Sequence, residues 1–301
     1  MKAHDRLFPS NIKKIAIISP ASRVKAMELE ESLAKIRAMG IEVVCGANLN
    51  TDGPESYLAG TAEERAADFM ESWMDPTVDL ILCARGGYGS AQILPFLNWT
   101  EICKRHPVFV GYSDITALHL ALLKYHAGIP IAGLMAGKIA VAVNGSPESE
   151  VSAKWFYHAL NRTAEAEYYQ TLTQMNAKTA ACGLPVAANL TVLVSLLGTP
   201  YFPDLSKRIL IVEDIGESLY RIDRNLTQLE LSGHMNNLAG LIFADFRQEG
   251  IPVAGIDRLA RRFAAKVPYG VWIDFSFGHI FPSVAINQTR EMVIQDNRCE
   301  L

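Results

Sequence analysis

The sequence predicts an α/β fold: an N-terminal doubly wound, flavodoxin- or Rossmann-like parallel-sheet domain, followed by a smaller C-terminal α/β domain with a mixed sheet. Three observations predict it. Short, continuously apolar runs such as Ile15–Ile18 and Ile209–Val212 read as strands buried on both faces. Segments with helical apolar spacing alternate with those runs, as parallel strands joined by crossover helices require. The chain has 301 residues, 50% of them hydrophobic and 20% charged, which is enough for two units that each bury a core. The expected bounds are 1–160 for the first domain, 161–185 for a linker or crossover, and 186–301 for the second domain.

The elements follow in order. Lys13 and Lys14 lead into the apolar run Ile15–Ile18, which Ser19-Pro20 ends. Leu29, Leu33, Ile36 and Met39 recur at helical spacing, so Ala26–Met39 is a helix closed by Gly40. Ile41–Cys45 is the second strand. Thr61-Ala62-Glu63-Glu64 is a capping box that starts a helix running to Met74. Val78–Ala84 and Val108–Tyr112 are buried strands, and Asp114–Tyr125 is a helix with Ile115, Leu118, Leu122 and Leu123 on its apolar side. A strand over Ile129–Gly133 and a helix over Ser146–Leu160 complete the first domain. Asn161–Ala181 shows no periodicity. Beyond it, Val186–Leu197 reads as a helix, Arg208–Val212 as a strand, Tyr220–Ser232 as a helix, Leu238–Phe243 as a strand and Ile256–Lys266 as a helix. From Gly270 onward the pattern is strands and turns.

Composition excludes several classes of function. With 28 Lys+Arg against 32 Asp+Glu, the formal net charge is −4, so neither nucleic acid nor an anionic membrane surface finds a basic footprint. No apolar run approaches a bilayer span. The five cysteines, Cys45, Cys83, Cys103, Cys182 and Cys299, are scattered without a CxxC pair, which argues against a structural metal site and against a disulfide framework. The first residues, Met1 to Pro9, carry no signal-peptide pattern, and a cytoplasmic protein is expected. Neither a metal nor a cofactor is expected.

In open α/β sheets, ligands bind at the carboxyl ends of strands, and two such ends stand out. Arg85-Gly86-Gly87-Tyr88-Gly89 follows Val78–Ala84 directly. Its glycines permit positive φ and leave backbone N–H groups free to face an anion, so it reads as a phosphate cradle, an oxyanion hole or a plain tight turn. It lacks the third glycine of the dinucleotide fingerprint. Gly111-Tyr112-Ser113-Asp114 carries a strand straight into a helix. Ser113 there is either a nucleophile on an elbow or, with Asp114, a helix N-cap.

A serine nucleophile needs a base and the base an orienting group. Of the seven histidines, His4 lies in the terminus, His106 in a loop and His158 beside Trp155 and Phe156, while His119 and His126 share one helix without a third metal ligand. His234 follows Gly233 at a helix end. His279, in Phe277-Gly278-His279 after a strand, sits on a turn where a functional imidazole is reasonable. Glu213 and Asp214 end the strand that contains Val212, and either serve the site or pair with Arg221 or Arg224.

Together these blocks resemble the LD-carboxypeptidase family of serine peptidases, which includes the microcin C self-immunity peptidases. The resemblance runs over nearly the whole chain and rests on Arg85–Gly89, Gly111–Asp114 with Thr116-Ala117, Asn189-Leu190 with Leu196–Pro200, Glu213-Asp214 with Tyr220–Arg224, and Phe277–His279, in that order. It implies a Ser-His-Glu triad: Ser113 as nucleophile, His279 as base and Glu213 as the orienting carboxylate. It implies the backbone N–H groups of Gly87 and Asp114 as oxyanion donors. Arg85, with Gly86 and Tyr88, is the candidate for binding a substrate carboxylate, a task that a planar guanidinium suits. The implied reaction is removal of terminal D-Ala from a murein tetrapeptide in cell-wall recycling, by a homodimer. Three stretches depart from the family pattern and are candidates to line the pocket: Leu134–Gly137, Ala187-Ala188 and Val284–Asn287. Two other readings compete. A self-immunity-type peptidase acting on an acyl-sulfamoyl adenylate needs an aromatic platform, for which Trp73, Trp99, Trp155 and Trp272 are available. A non-catalytic nucleotide-binding protein would use Gly86–Gly89 as its phosphate loop.

Overall fold

A computed structural model describes residues 7–161, 169–246 and 253–301; His4 and part of the 161–185 segment lie outside the described residues. The first sheet has six strands. Five are parallel: β1 (Lys14–Ile18), β2 (Glu42–Cys45), β3 (Leu80–Cys83), β4 (Val108–Gly111) and β5 (Ile129–Ala132), in the order β5-β4-β3-β1-β2. The reversal of direction beside β1 and β3 is the doubly wound arrangement. β3 and β4 are buried throughout, which is why they read as continuous apolar runs. The sixth strand, Ile286–Asn287, comes from the far end of the chain and pairs antiparallel with β5.

The second sheet is also mainly parallel. Its strands run in the order Thr173–Gln174, Gly270–Ile273, Gly240–Phe243, Ile209–Glu213, Pro185–Asn189, and only the first is antiparallel. A third, antiparallel sheet joins Tyr169–Thr171, Arg298–Glu300, Met292–Gln295 and Ala180–Gly183. The mixed character expected of the second half is therefore spread over two sheets.

The helix Thr116–Lys124 joins the two halves. Every residue from Thr116 to Leu123 is buried, so the helix expected to bury one apolar face is instead buried all round, its polar Thr116 and His119 included. It packs on the helix Leu190–Ser195, and one continuous core runs from Phe69, Trp73 and Phe109 through Leu118 and Leu122 to Leu193, Leu226 and Phe243.

Local chemistry explains the boundaries. Thr61 Oγ1 accepts from Glu64 N at 3.2 Å while the Glu64 carboxylate accepts from Thr61 N at 2.8 Å, a complete capping box for the helix Ala62–Met74. Ser146 caps Pro147–Leu160.

Two sequence expectations are corrected. Val186–Leu197 is not one helix: Pro185–Asn189 is a strand, registered Pro185 to Ile209 and Asn189 to Glu213, and the helix is only Leu190–Ser195. Burial of all five strand residues erased the alternation that marks a strand. Asn189 ends the strand by accepting from Val192 N at 3.1 Å, which caps the helix. The stretch Asn161–Ala181, read as featureless, contributes Tyr169–Thr171, Thr173–Gln174 and the first residues of Ala180–Gly183. These pieces are short and half exposed, so they carry little apolar signal.

Arg65 ties the first helices to the site. Its guanidinium is buried and donates to Pro20 O at 2.8 Å, Gly89 O at 2.7 Å and Gln92 Oε1 at 2.7 Å. Burial holds its pKa below the usual arginine value, with the Asp114 charge acting the other way. Removing the donors strands two backbone carbonyls. Arg65→Met is expected to lower the free energy of unfolding by about 3 kcal/mol, measured by urea titration.

Candidate active site

The site lies where the carboxyl ends of the two parallel sheets meet. Ser113 follows β4 and opens the 3₁₀ turn Ser113–Ile115 that leads into Thr116–Lys124. It has φ +64°, a left-handed conformation that a serine adopts only under constraint, as on a strand-to-helix elbow. The alternative of Ser113 or Asp114 as a helix cap is not realised: no side chain caps that turn, and the Asp114 carboxylate accepts instead from Ser90 N at 2.8 Å.

His279 comes from the loop after Gly270–Ile273. Its Nε2 lies 3.0 Å from Ser113 Oγ and its Nδ1 2.7 Å from Glu213 Oε2. Glu213, the last residue of its strand, is wholly buried. The expected alternative, an ion pair from the carboxylates to Arg221 or Arg224, does not form; Arg221 pairs with Glu217 at 3.4 Å. Glu213 Oε1 accepts from Asn189 Nδ2 at 3.2 Å. Three sequence-distant side chains are thus in one hydrogen-bonded line.

The titration behaviour follows from that line. Burial penalises the charged imidazole, but the hydrogen bond and charge of Glu213, backed by Asp214 and Asp245, outweigh it and raise the His279 pKa above 6.5. Burial also raises the Glu213 pKa, opposed by its bonds to His279 and Asn189. Tyr112, whose ring lies 5.2 Å from that of His279, is pushed up to about 12 by burial and by the Glu213 charge. It is a neutral phenol at any working pH.

The glycine loop presses on the serine. A Cβ on Gly86 would stand 3.0 Å from Ser113 Cβ, and Gly87 adopts φ +106° against Ser22. Ser22 Oγ accepts from Tyr88 N at 3.0 Å, Ser22 N donates to Gly86 O at 3.3 Å, and Arg65 holds Gly89 O. One of the N–H groups a phosphate cradle would offer is therefore already used. Arg85 is exposed, with Nη1 donating to Arg23 O at 3.1 Å, and Tyr88 packs edge-on to Tyr57.

Two cavities flank the Ser113–His279 pair. One, of about 420 Å³, is mostly apolar and lined by Leu134, Val141, Ile215, Phe281 and Val284, and also by Lys138. The other, of about 360 Å³, contains Ser113, Gly86, Gly87 and His279 together with Lys25, Arg85, Lys138 and the acidic Glu28. Leu134 and Val284 line the cleft as the departures from the family pattern suggested, whereas Ala187 and Ala188 are buried in the second sheet. Lys138, Ile215 and Phe281 carried no signal beyond residue type in the sequence, whereas Tyr112 lies within the Gly111–Asp114 motif. None of the four tryptophans lines either cavity: Trp73, Trp155 and Trp272 are in the cores and Trp99 stacks on Tyr125. His119 is a core residue hydrogen-bonded to Gln288, its pKa held down to about 3 by burial, and no group of described residues could hold a metal.

Comparison with known proteins bears on the same residues. Residues 15–133 match the family model described as the LD-carboxypeptidase N-terminal domain, and residues 182–293 the one described as the LD-carboxypeptidase C-terminal domain. The chain is 34% identical to a putative carboxypeptidase of Streptomyces coelicolor over 91% of its length and 87% of the relative's. Among solved structures, a muramoyltetrapeptide carboxypeptidase from Oxalobacter formigenes superposes with a TM-score of 0.82 at 26% identity, covering 96% of this chain and 97% of that one. The microcin C7 self-immunity protein MccF has the same fold, with a TM-score of 0.84 at 18% identity, covering 98% and 97%.

The geometry predicts a reactive hydroxyl. A fluorophosphonate probe is expected to label Ser113 alone, with His279→Ala slowing the reaction about 100-fold or more, read by intact-mass spectrometry. The labelling rate should fall as pH drops through a midpoint above 6.5, because protonated His279 no longer accepts the serine proton.

Proposed function

Because this chain belongs to the LD-carboxypeptidase family, it is a serine-type carboxypeptidase, and we propose that it removes the terminal D-Ala from murein tetrapeptides through a Ser113–His279–Glu213 triad. The observation that supports the triad best is the unbroken line Ser113 Oγ–His279 Nε2–His279 Nδ1–Glu213 Oε2, with separations of 3.0 and 2.7 Å, set between a charged and an apolar cavity.

The reaction runs in two halves. Ser113 Oγ attacks the carbonyl on the L-centre while His279 Nε2 takes its proton, and Glu213 stabilises the imidazolium. The tetrahedral oxyanion is held by the N–H groups of Gly87 and Asp114; loss of one such donor costs about 100- to 1000-fold in turnover. His279 then gives its proton to the leaving amine, the C–N bond breaks and D-Ala departs. Water, deprotonated by the same imidazole, hydrolyses the ester and restores Ser113.

The two cavities give the substrate a direction. The leaving amino acid carries a free carboxylate, which suits the cavity holding Arg85, Lys25 and Lys138. The acyl part, with its aliphatic stem, suits the apolar side. Arg85 is the reader of that carboxylate, beside Gly86 and Tyr88. The same reading makes the enzyme a cytoplasmic homodimer serving cell-wall recycling; no described helix is long and apolar enough to cross a membrane. For a self-immunity-type peptidase, which needs an aromatic platform, the tryptophans supply none, and the aromatic residues of the cleft are Tyr112, Phe277 and Phe281. The nucleotide-binding reading is weakened by a glycine loop packed on Ser113 rather than open above a helix.

Incubation with a murein tetrapeptide is expected to release D-Ala, and Ser113→Ala to lower kcat by about a million-fold with unchanged melting temperature, followed by chromatography of the released amino acid. Release by the serine variant at the parent rate rules the triad out. Arg85→Ala should raise KM about 10- to 100-fold with a smaller effect on kcat, since the lost contact is to a carboxylate held equally in ground and transition states.

A further inference from the structure

We propose that Asn189 is a positioning residue for the His279–Glu213 pair, its side-chain amide bridging the Glu213 and Asp214 carboxylates and fixing the one that holds the imidazole. The inference rests on the proposed triad and assigns a task to a motif residue that the mechanism leaves unused.

Glu213 and Asp214 are consecutive, and both are buried at the carboxyl end of one strand. Two adjacent buried carboxylates repel each other and lose solvation, so each is driven to take up a proton. The Asn189 amide stands between them. Nδ2 donates to Glu213 Oε1 at 3.2 Å and to Asp214 Oδ1 at 3.1 Å, matching its two hydrogens to two acceptors. The amide is itself held. Asn189 Oδ1 accepts from Val192 N at 3.1 Å, and Asn189 N donates to Thr116 Oγ1 at 3.0 Å, on the helix that follows the nucleophile. Asp214 receives three further bonds, from Thr191 N, Thr191 Oγ1 and Ile215 N, which keep it in place as the second acceptor. Glu213 has no comparable set: its bonds are to His279 and Asn189.

The other groups facing the pair come from several elements. Asp245, beyond Gly240–Phe243, acts on His279 from behind, and Gly278 packs between it and Glu213. Tyr112 and Ser113 face it from the first sheet, and Arg85, Lys25, Glu28 and Lys138 line the charged cavity in front. Asn189 is the one donor among these that touches Glu213 on the side away from the imidazole. Without it, the Glu213 carboxylate is more basic and grips the imidazolium harder, so the pair takes up its first proton at higher pH.

Asn189→Ser keeps a side chain able to cap the Leu190–Ser195 helix while withdrawing the bridging amide, and Asn189→Asp keeps the cap and adds a third carboxylate. Both variants should show the acid limb of kcat/KM moved up, by about one pH unit in Asn189→Ser and more in Asn189→Asp, with kcat down about tenfold and KM little changed. The same upward move is expected in the His279 midpoint followed by NMR in the full chain, an arm that needs no turnover. If the wild type releases no D-Ala while its His279 midpoint still moves up in Asn189→Ser, the substrate reading fails and this one stands. If Asn189→Asp does not fold, Asn189→Ser decides. Midpoints in Asn189→Ser that coincide with the wild type overturn the proposal, whether turnover is retained or lost, since a cap or packing role would not move them.

Discussion

One imidazole has to reach a hydroxyl on the edge of one sheet and a carboxylate on the edge of another, and the arrangement of this protein follows from that requirement. Ser113 ends a strand of the first sheet, Glu213 ends a strand of the second, and His279 spans them from a loop with contacts of 3.0 and 2.7 Å. A misplacement of an ångström in either sheet breaks one of the two contacts. The sheets must therefore behave as one body. The buried helix Thr116–Lys124 supplies that rigidity, because it begins just past Ser113 and packs on the helix that Asn189 caps. The chain also sends Ile286–Asn287 back to pair with β5, so the residues after His279 are stitched to the first sheet.

Rigidity of that kind carries costs that the surroundings offset. Ser113 holds a left-handed backbone conformation, which costs on the order of 1–3 kcal/mol. The glycine loop lies against it only because Gly86 has no Cβ. Arg65, buried beneath that loop, carries its charge into the core and satisfies the carbonyls that the loop turns inward. Buried charge recurs on the other side of the cleft, where Glu213, Asp214 and Asp245 are all nearly inaccessible. Such a group is tolerated only when hydrogen-bonded. Here the same bonds that make burial tolerable also fix the orientation of the imidazole.

The sequence made the first sheet legible because its signals were local. Continuous apolar runs marked β3 and β4, and the Thr61 capping box marked a helix to the residue. The second half was harder. Pro185–Asn189 is apolar on both faces and runs into a helix without a break in composition, so a strand and a helix merged into one reading. The site divides in the same way. Ser113 was visible as a residue on a tight strand-to-helix turn, but a cap and a nucleophile share that local sequence; only φ +64° and the commitment of Asp114 to Ser90 set the cap aside. Glu213 and His279 are 66 positions apart, and no spacing rule relates them to each other or to Ser113. Their grouping came from the family resemblance. Val141, Ile215 and Phe281 line the cleft because of where the chain folds, and residue type alone does not announce it.

The contrast between the two cavities carries the last step. A hydrolytic triad by itself distinguishes neither end of a peptide, since the serine attacks any carbonyl presented at the right angle. Direction has to come from what lies on either side of the reacting bond. On one side, Arg85 and Lys25 bring positive charge beside the glycine loop, against the single acidic Glu28; on the other, Leu134, Val141, Ile215, Phe281 and Val284 make a mostly aliphatic wall, and Lys138 lines both. This lining favours a ligand that sets its anionic end near Arg85 and Lys25 and its aliphatic stretch on the other side, where most of the wall is aliphatic. The fold is shared with a self-immunity protein at 18% identity, so the scaffold leaves substrate choice open. Of the loops that differ from the family pattern, Val284 lines the apolar side, while the stretch Leu134–Gly137 reaches both, with Leu134 in the apolar cavity and Met135 and Gly137 in the charged one. The charged lining lies next to Ser113 and His279, and the loops that differ from the family pattern line the cleft without supplying any of the three side chains in the line from Ser113 to Glu213.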